Sequence, residues 1–124
     1  MNVRAMRIPL GVLVAALAAA CSNGASSSGT TGGCPDDLPA SCPANAAGYH
    51  ATIAPVLAES CGACHAPGGP SVHYLQTYAE VSALAGPVLD QVYACKMPPA
   101  GYPALSPAAR ADLLGWLVCG APDD

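Results

Sequence analysis

The chain has no phenylalanine, one tryptophan and five tyrosines, so few large rings are on hand to fill a core. Cations are almost as scarce. Of four Lys and Arg residues, Arg4 and Arg7 belong to an N-terminal stretch that reads as a removable segment, leaving Lys96 and Arg110 against eight acids, a formal charge of −6. That balance gives no electrostatic footprint for nucleic acid, which is not expected as a partner. No apolar run reaches the roughly 20 residues of a comfortable membrane span, and no window alternates at period two as a half-buried strand would. Also missing are a second C-x-x-C, an H-x-x-x-H, a phosphate-binding glycine loop, a paired-carboxylate signature and a Ser/His/Asp arrangement. A four-ligand zinc site and the common hydrolytic chemistries therefore lack their parts.

What the chain has in quantity is glycine (13), proline (13) and cysteine (seven). It opens with MNVRAMRIPLGVLVAALAAA, a basic start followed by an apolar run ending in small residues, which reads as a secretory signal over residues 1–20. The run Leu17-Ala18-Ala19-Ala20-Cys21 resembles the lipobox of bacterial lipoproteins, which implies acylation of Cys21 and a membrane anchor through lipid. The competing reading is cleavage after an A-x-A site, with Cys21 left as an ordinary thiol. After Cys21, SNGASSSGTTGG has no apolar side chain to bury and behaves as a leash. Residues 34–48, CPDDLPASCPANAAG, show no periodicity and read as a loop, so 21–48 is expected to be a flexible, disordered linker with a loop, and 49–124 the folded domain.

Within 49–124 the signals are helical, and the expected fold class is all-α. HATIAPVLAES places Ile53, Val56, Leu57 and Ser60 near one face, with Pro55 tolerable only in a first turn, so the helix is expected to begin near Thr52 or Ala54. Thr77-x-x-Glu80 is a capping box ahead of Val81, Leu84, Val88 and Val92, a pattern that Gly86-Pro87 should break in two, with Pro87 opening the second piece. KMPPAGYPAL, residues 96–105, carries three prolines and reads as loop. Ser106-Pro107 announces a last helix running to Gly120.

Residues 61–65, CGACH, carry the chemistry. On one helical face, positions i and i+3 lie about 5–6 Å apart, so Cys61 and Cys64 can both reach the edge of one planar ligand, and His65 can turn beneath it to meet a metal. That spacing reads as c-type haem attachment, with Cys61 and Cys64 as thioethers to one covalent haem c and His65 as axial ligand to its iron. A thioredoxin-type motif would need a βαβ setting, and plain disulfide cysteines are the remaining alternative.

Cysteine parity fits this assignment. With Cys21 given to lipid and Cys61 and Cys64 to haem, four remain for disulfides: Cys34, Cys42, Cys95 and Cys119. Three pairings are open, and the local one, Cys34–Cys42 with Cys95–Cys119, is expected. For the second axial position Met97 is favoured, a thioether in a proline-stiffened loop where a core-filling methionine is not expected. His73 reads as a surface or propionate-contacting residue and His50 as solvated.

Together, Cys61-x-x-Cys64-His65 after a short helix, Met97-Pro98-Pro99, and a terminal helix ending Trp116-Leu117-x-x-Gly120-Ala121-Pro122 resemble the class I cytochrome c family, especially the small cytochrome c-like domains of bacterial lipoproteins and planctomycete-type sequences. The likeness covers about residues 49–122; 31 residues (66–96) separate His65 from Met97, and Cys95 and Cys119 are additional to the family pattern. It implies a cytochrome c-like helical fold around one haem, His65 and Met97 as axial ligands, packed first and last helices, and one-electron transfer outside the cytoplasm. The expected protein is thus an electron carrier and not an enzyme, exported and lipid-anchored in a bacterial cell envelope, periplasmic or surface-facing, exchanging electrons with redox protein partners. Two alternatives remain. One is a five-coordinate haem protein for small-gas binding or peroxide chemistry; the other is a haem-free, disulfide-stapled lipoprotein module with six oxidised cysteines.

Overall fold

The computed structural model describes residues 33–124; the signal segment, Cys21 and nearly all of the leash lie outside the described residues. Among those described there is helix and no strand. A π-helical turn, Tyr49–Ile53, runs directly into α1, Ala54–Ser60; α2 is Tyr78–Ala83, α3 Ala85–Tyr93 and α4 Pro107–Val118. None of these helices is long and apolar enough to cross a membrane.

Prolines set two of the boundaries. Pro55 has no N–H for the carbonyl four residues back and its ring crowds that carbonyl. The chain enters α1 by a wider turn, in which Ala54 N–H reaches Tyr49 O, five residues back. Pro87 acts in the same way on Ala83, and α2 ends at Ala83. The break thus falls at Leu84, two residues before Gly86, and Pro87 sits third in α3 instead of opening it.

The local capping signals form as expected. Thr77 Oγ1 accepts from Glu80 N–H while the Glu80 carboxylate accepts from Thr77 N–H, a reciprocal capping box. Ser106 Oγ accepts from Ala109 N–H at 3.1 Å to start α4. At its end Gly120 takes φ +86°, a left-handed conformation that glycine adopts without strain, while Gly120 N–H bonds Leu117 O and Ala121 N–H bonds Trp116 O.

The core is one cluster. Tyr49, Ile53 and Leu57 line one face of the entry turn and α1, and they meet Val81, Val92 and the Leu113, Leu114, Trp116 and Leu117 stretch of α4. Tyr49 contacts Trp116 and Tyr78 at ring-centroid distances of 5.6 and 5.2 Å. Trp116 Nε1–H is satisfied by Pro122 O at 3.0 Å, and Tyr78 OH by Ala121 O at 2.9 Å, which folds the C-terminal tail onto the core.

Residues 34–48 are fastened against α4, and one expectation about them is corrected. Five consecutive residues of α4, Leu113–Leu117, are buried, more than one helix face can hide, since Pro43 covers the other side: a Cβ on Gly115 would lie 3.3 Å from Pro43 Cγ. The disulfides are correspondingly Cys34–Cys95 and Cys42–Cys119, not the local pairs. The segment is pinned lengthwise through Asp36 and Asp37, which carries Cys34 to the end of α3 and Cys42 to the end of α4.

Arg110, noted in the sequence only as a charge, is the hub of that attachment. Its side chain is 9% exposed; Nε and Nη2 donate to the two Asp37 oxygens at 2.8 and 2.9 Å, Nη1 donates to Val92 O, and Nη2 also reaches Tyr93 O at 3.1 Å. One guanidinium therefore closes the carbonyl end of α3 and grips the N-terminal segment. It holds the Asp37 carboxyl below its ordinary pKa. Among the described residues every buried side-chain nitrogen and oxygen has a partner.

Candidate functional site

Cys61 to His65 form a turn that follows α1, not a continuation of the helix. Cys61 and Gly62 N–H both bond Leu57 O (2.9 and 3.0 Å), and Cys64 and His65 N–H both bond Cys61 O (3.2 and 2.9 Å). The i to i+3 proximity of Cys61 and Cys64 survives in this turn. Gly62 is required by close approach, because a Cβ there would lie 2.5 Å from Ala58 O. The chain then loops back on the motif, with Ser71 N–H on Cys64 O at 3.1 Å and Leu75 N–H on His65 O at 2.9 Å.

Two adjoining clefts of about 330 and 400 Å3 meet here and share Cys61, His65, Val92 and Met97 in their walls. The first also has Cys64, Pro98, Pro99 and Tyr102; the second continues over Leu75, Leu84, Val88 and Leu113 and includes His73. Their size falls in the ordinary range for cofactor pockets, and aliphatic side chains make up much of the walls. The structure thus brings Cys61, Cys64, His65 and Met97 to one place.

Among the described cysteines, Cys61 and Cys64 alone are outside a disulfide. Burial pushes the Cys61 thiol up in pKa, and the neighbouring Cys64 adds to this. His65 Nδ1 lies 2.7 Å from His73 O. A carbonyl only accepts, so Nδ1 carries a proton and Nε2 is the nitrogen left to meet a metal, which is how metal-ligating histidines are oriented. His73 therefore contributes its carbonyl, a role the sequence did not signal, while its ring is exposed at the second cleft. His50 is exposed and pairs with Asp123 at 3.2 Å.

Met97 is 38% exposed and its backbone N–H bonds Gln91 O at 3.1 Å. The residues present fit a flat, largely apolar macrocycle with one iron: two thiols on the rim, a pre-oriented imidazole, a thioether and aliphatic walls. Among the described residues no three His, Cys, Asp or Glu are grouped as a metal held by side chains alone needs. Comparison of the chain with protein-family models, with curated proteins and with solved structures returns no match.

Proposed function

We propose that this chain is a membrane-anchored c-type cytochrome domain that carries single electrons outside the cytoplasm. A covalently held haem would supply the one-electron iron couple. Cys61 and Cys64 would hold the haem covalently through thioethers. His65 would present Nε2 to the iron, fixed by the Nδ1–H bond to His73 O. Met97 would hold the iron through its sulfur, and Val92, Leu84, Val88 and Leu113 would exclude water. Cys21 would carry the lipid, and the residues after it would let the domain clear the headgroups.

The observation that carries this reading is the meeting, at one apolar cleft, of two thiols left out of disulfides with an imidazole whose Nδ1–H is already committed to a backbone carbonyl. The haem-free module expects six oxidised cysteines, and the two disulfides present are compatible with it as well. The exposure of Met97 favours a second reading, a five-coordinate haem that binds small ligands. A redox titration of the haem-loaded protein separates the two. An electron carrier gives one reversible one-electron transition whose midpoint falls on Met97→Ala; a midpoint that does not move with that substitution assigns the iron to the five-coordinate class.

A further inference from the structure

We infer that Cys34, Asp36 and Asp37 form a strap that positions Met97, so that the start of the 34–48 segment belongs to the machinery that would hold Met97 as an iron ligand. This rests on the reading of Met97 as that ligand.

The loop bearing Met97 leaves from the last turn of α3, and the strap is fastened to that turn by three side-chain links. Cys34 is joined to Cys95, two residues before Met97. Tyr93 OH donates to Asp36 at 2.6 Å, and Arg110 grips Asp37 with two bonds while holding the Val92 and Tyr93 carbonyls. Cys95 takes φ +54°, a left-handed conformation uncommon outside glycine, which persists only where the surroundings hold it. Its N–H bonds Val92 O at 3.0 Å, and Lys96 and Met97 N–H both bond Gln91 O. The path from strap to sulfur is therefore short: Asp37 to Arg110 to Val92 O, and Cys34 to Cys95 to Met97.

A neutral thioether on an exposed loop keeps outside ligands off the iron only while the loop is held. The apparent affinity of an added ligand rises in proportion to the fraction of molecules in which the position is open. Cutting the strap should raise that fraction. The second disulfide, Cys42–Cys119, lies at the far end of the same segment and of α4. Cutting it should loosen the fold without opening the iron.

The experiment is an imidazole titration of the full mature, haem-loaded ferric protein, followed by absorption, with a melting curve for each variant. Cys34→Ser/Cys95→Ser is expected to tighten imidazole binding about tenfold, and Asp37→Asn to tighten it by a smaller factor. Cys42→Ser/Cys119→Ser should lower the melting temperature and leave the affinity within about twofold of wild type. If the Cys34/Cys95 variant does not fold, Asp37→Asn against Cys42→Ser/Cys119→Ser decides. Equal effects of the two sets on imidazole binding, or lower melting temperatures with no change in binding by the strap variants, overturn the inference. A wild-type protein without covalent haem, or a Met97→Ala protein that binds imidazole no more tightly than wild type, overturns the underlying reading instead.

Discussion

Arg110→Ala is expected to be among the most damaging single substitutions on this domain, and its cost can be worked from the bonds it breaks. The Asp37 carboxylate is 36% exposed, so once released it resolvates, and the ion pair itself is discounted to about 1 kcal/mol. The Val92 and Tyr93 carbonyls are in a different position. Val92 is a buried residue whose carbonyl keeps the Cys95 N–H as a donor, but it and the Tyr93 carbonyl both lose a charged donor, a loss of about 1.5–3 kcal/mol together. Losing the packed aliphatic stem adds to this. The total is about 3 kcal/mol, near the lower end of what breaking a buried pair costs. For a domain of roughly 90 residues that is a fall in Tm of about 12–24 °C.

The assay is urea unfolding of the haem-loaded protein as a double-mutant cycle of Arg110→Ala with Asp37→Ala. Asp37→Ala alone should cost about 1 kcal/mol. Its pH dependence has a defined sign: Arg110 lowers the folded-state pKa of Asp37. The stabilisation is then fully present above about pH 4 and is lost as pH falls through the folded value. The difference between wild type and Asp37→Asn should be flat above that pH and shrink below it. If Asp37→Ala costs as much as Arg110→Ala, the ion pair and not the capping of α3 carries the effect, and the reasoning fails.

A non-reducing peptide map should recover Cys34 linked to Cys95 and Cys42 to Cys119; a Cys34–Cys42 peptide would refute the path drawn for residues 34–48. Removing Cys42–Cys119, which spans a sequence separation of 77, should cost about 4 kcal/mol by loop entropy, read as a fall in the urea midpoint. Gly62→Ala forces a Cβ to 2.5 Å from Ala58 O and should cost about 1–3 kcal/mol. Gly86→Ala, where nothing lies within 4 Å, should be neutral or stabilising in the same melting assay. Ser106→Ala removes the bond to Ala109 N–H and should cost about 1 kcal/mol.

What was legible in the sequence was local. The Thr77/Glu80 box, the Ser106 cap and the turn at Gly120 each involve residues within a few positions of one another, so type and spacing suffice to read them. The break falls at Leu84, two residues before the Gly86-Pro87 pair that signals it, because a proline disturbs the carbonyl four positions before it, not the residue beside it. The disulfide partners were not legible, since segment 34–48 has no periodicity and its route depends on Arg110, seventy-three residues beyond Asp37. A signal did exist: two adjacent acids flanked by cysteines, in a chain with only two cations after residue 32. At the site, the spacing of Cys61, Cys64 and His65 was plain, but the carbonyl that orients His65 comes from a loop whose return no pattern announces.

The most direct test of the central claim is the intact mass of the mature protein, produced in a host that attaches c-type haem and then fully denatured. A covalent cofactor on Cys61 and Cys64 predicts a mass greater by one haem that survives denaturation, and that is lost in Cys61→Ser/Cys64→Ser. A mass without haem, with these two cysteines recovered as free thiols or as a third disulfide, would contradict the electron-transfer account.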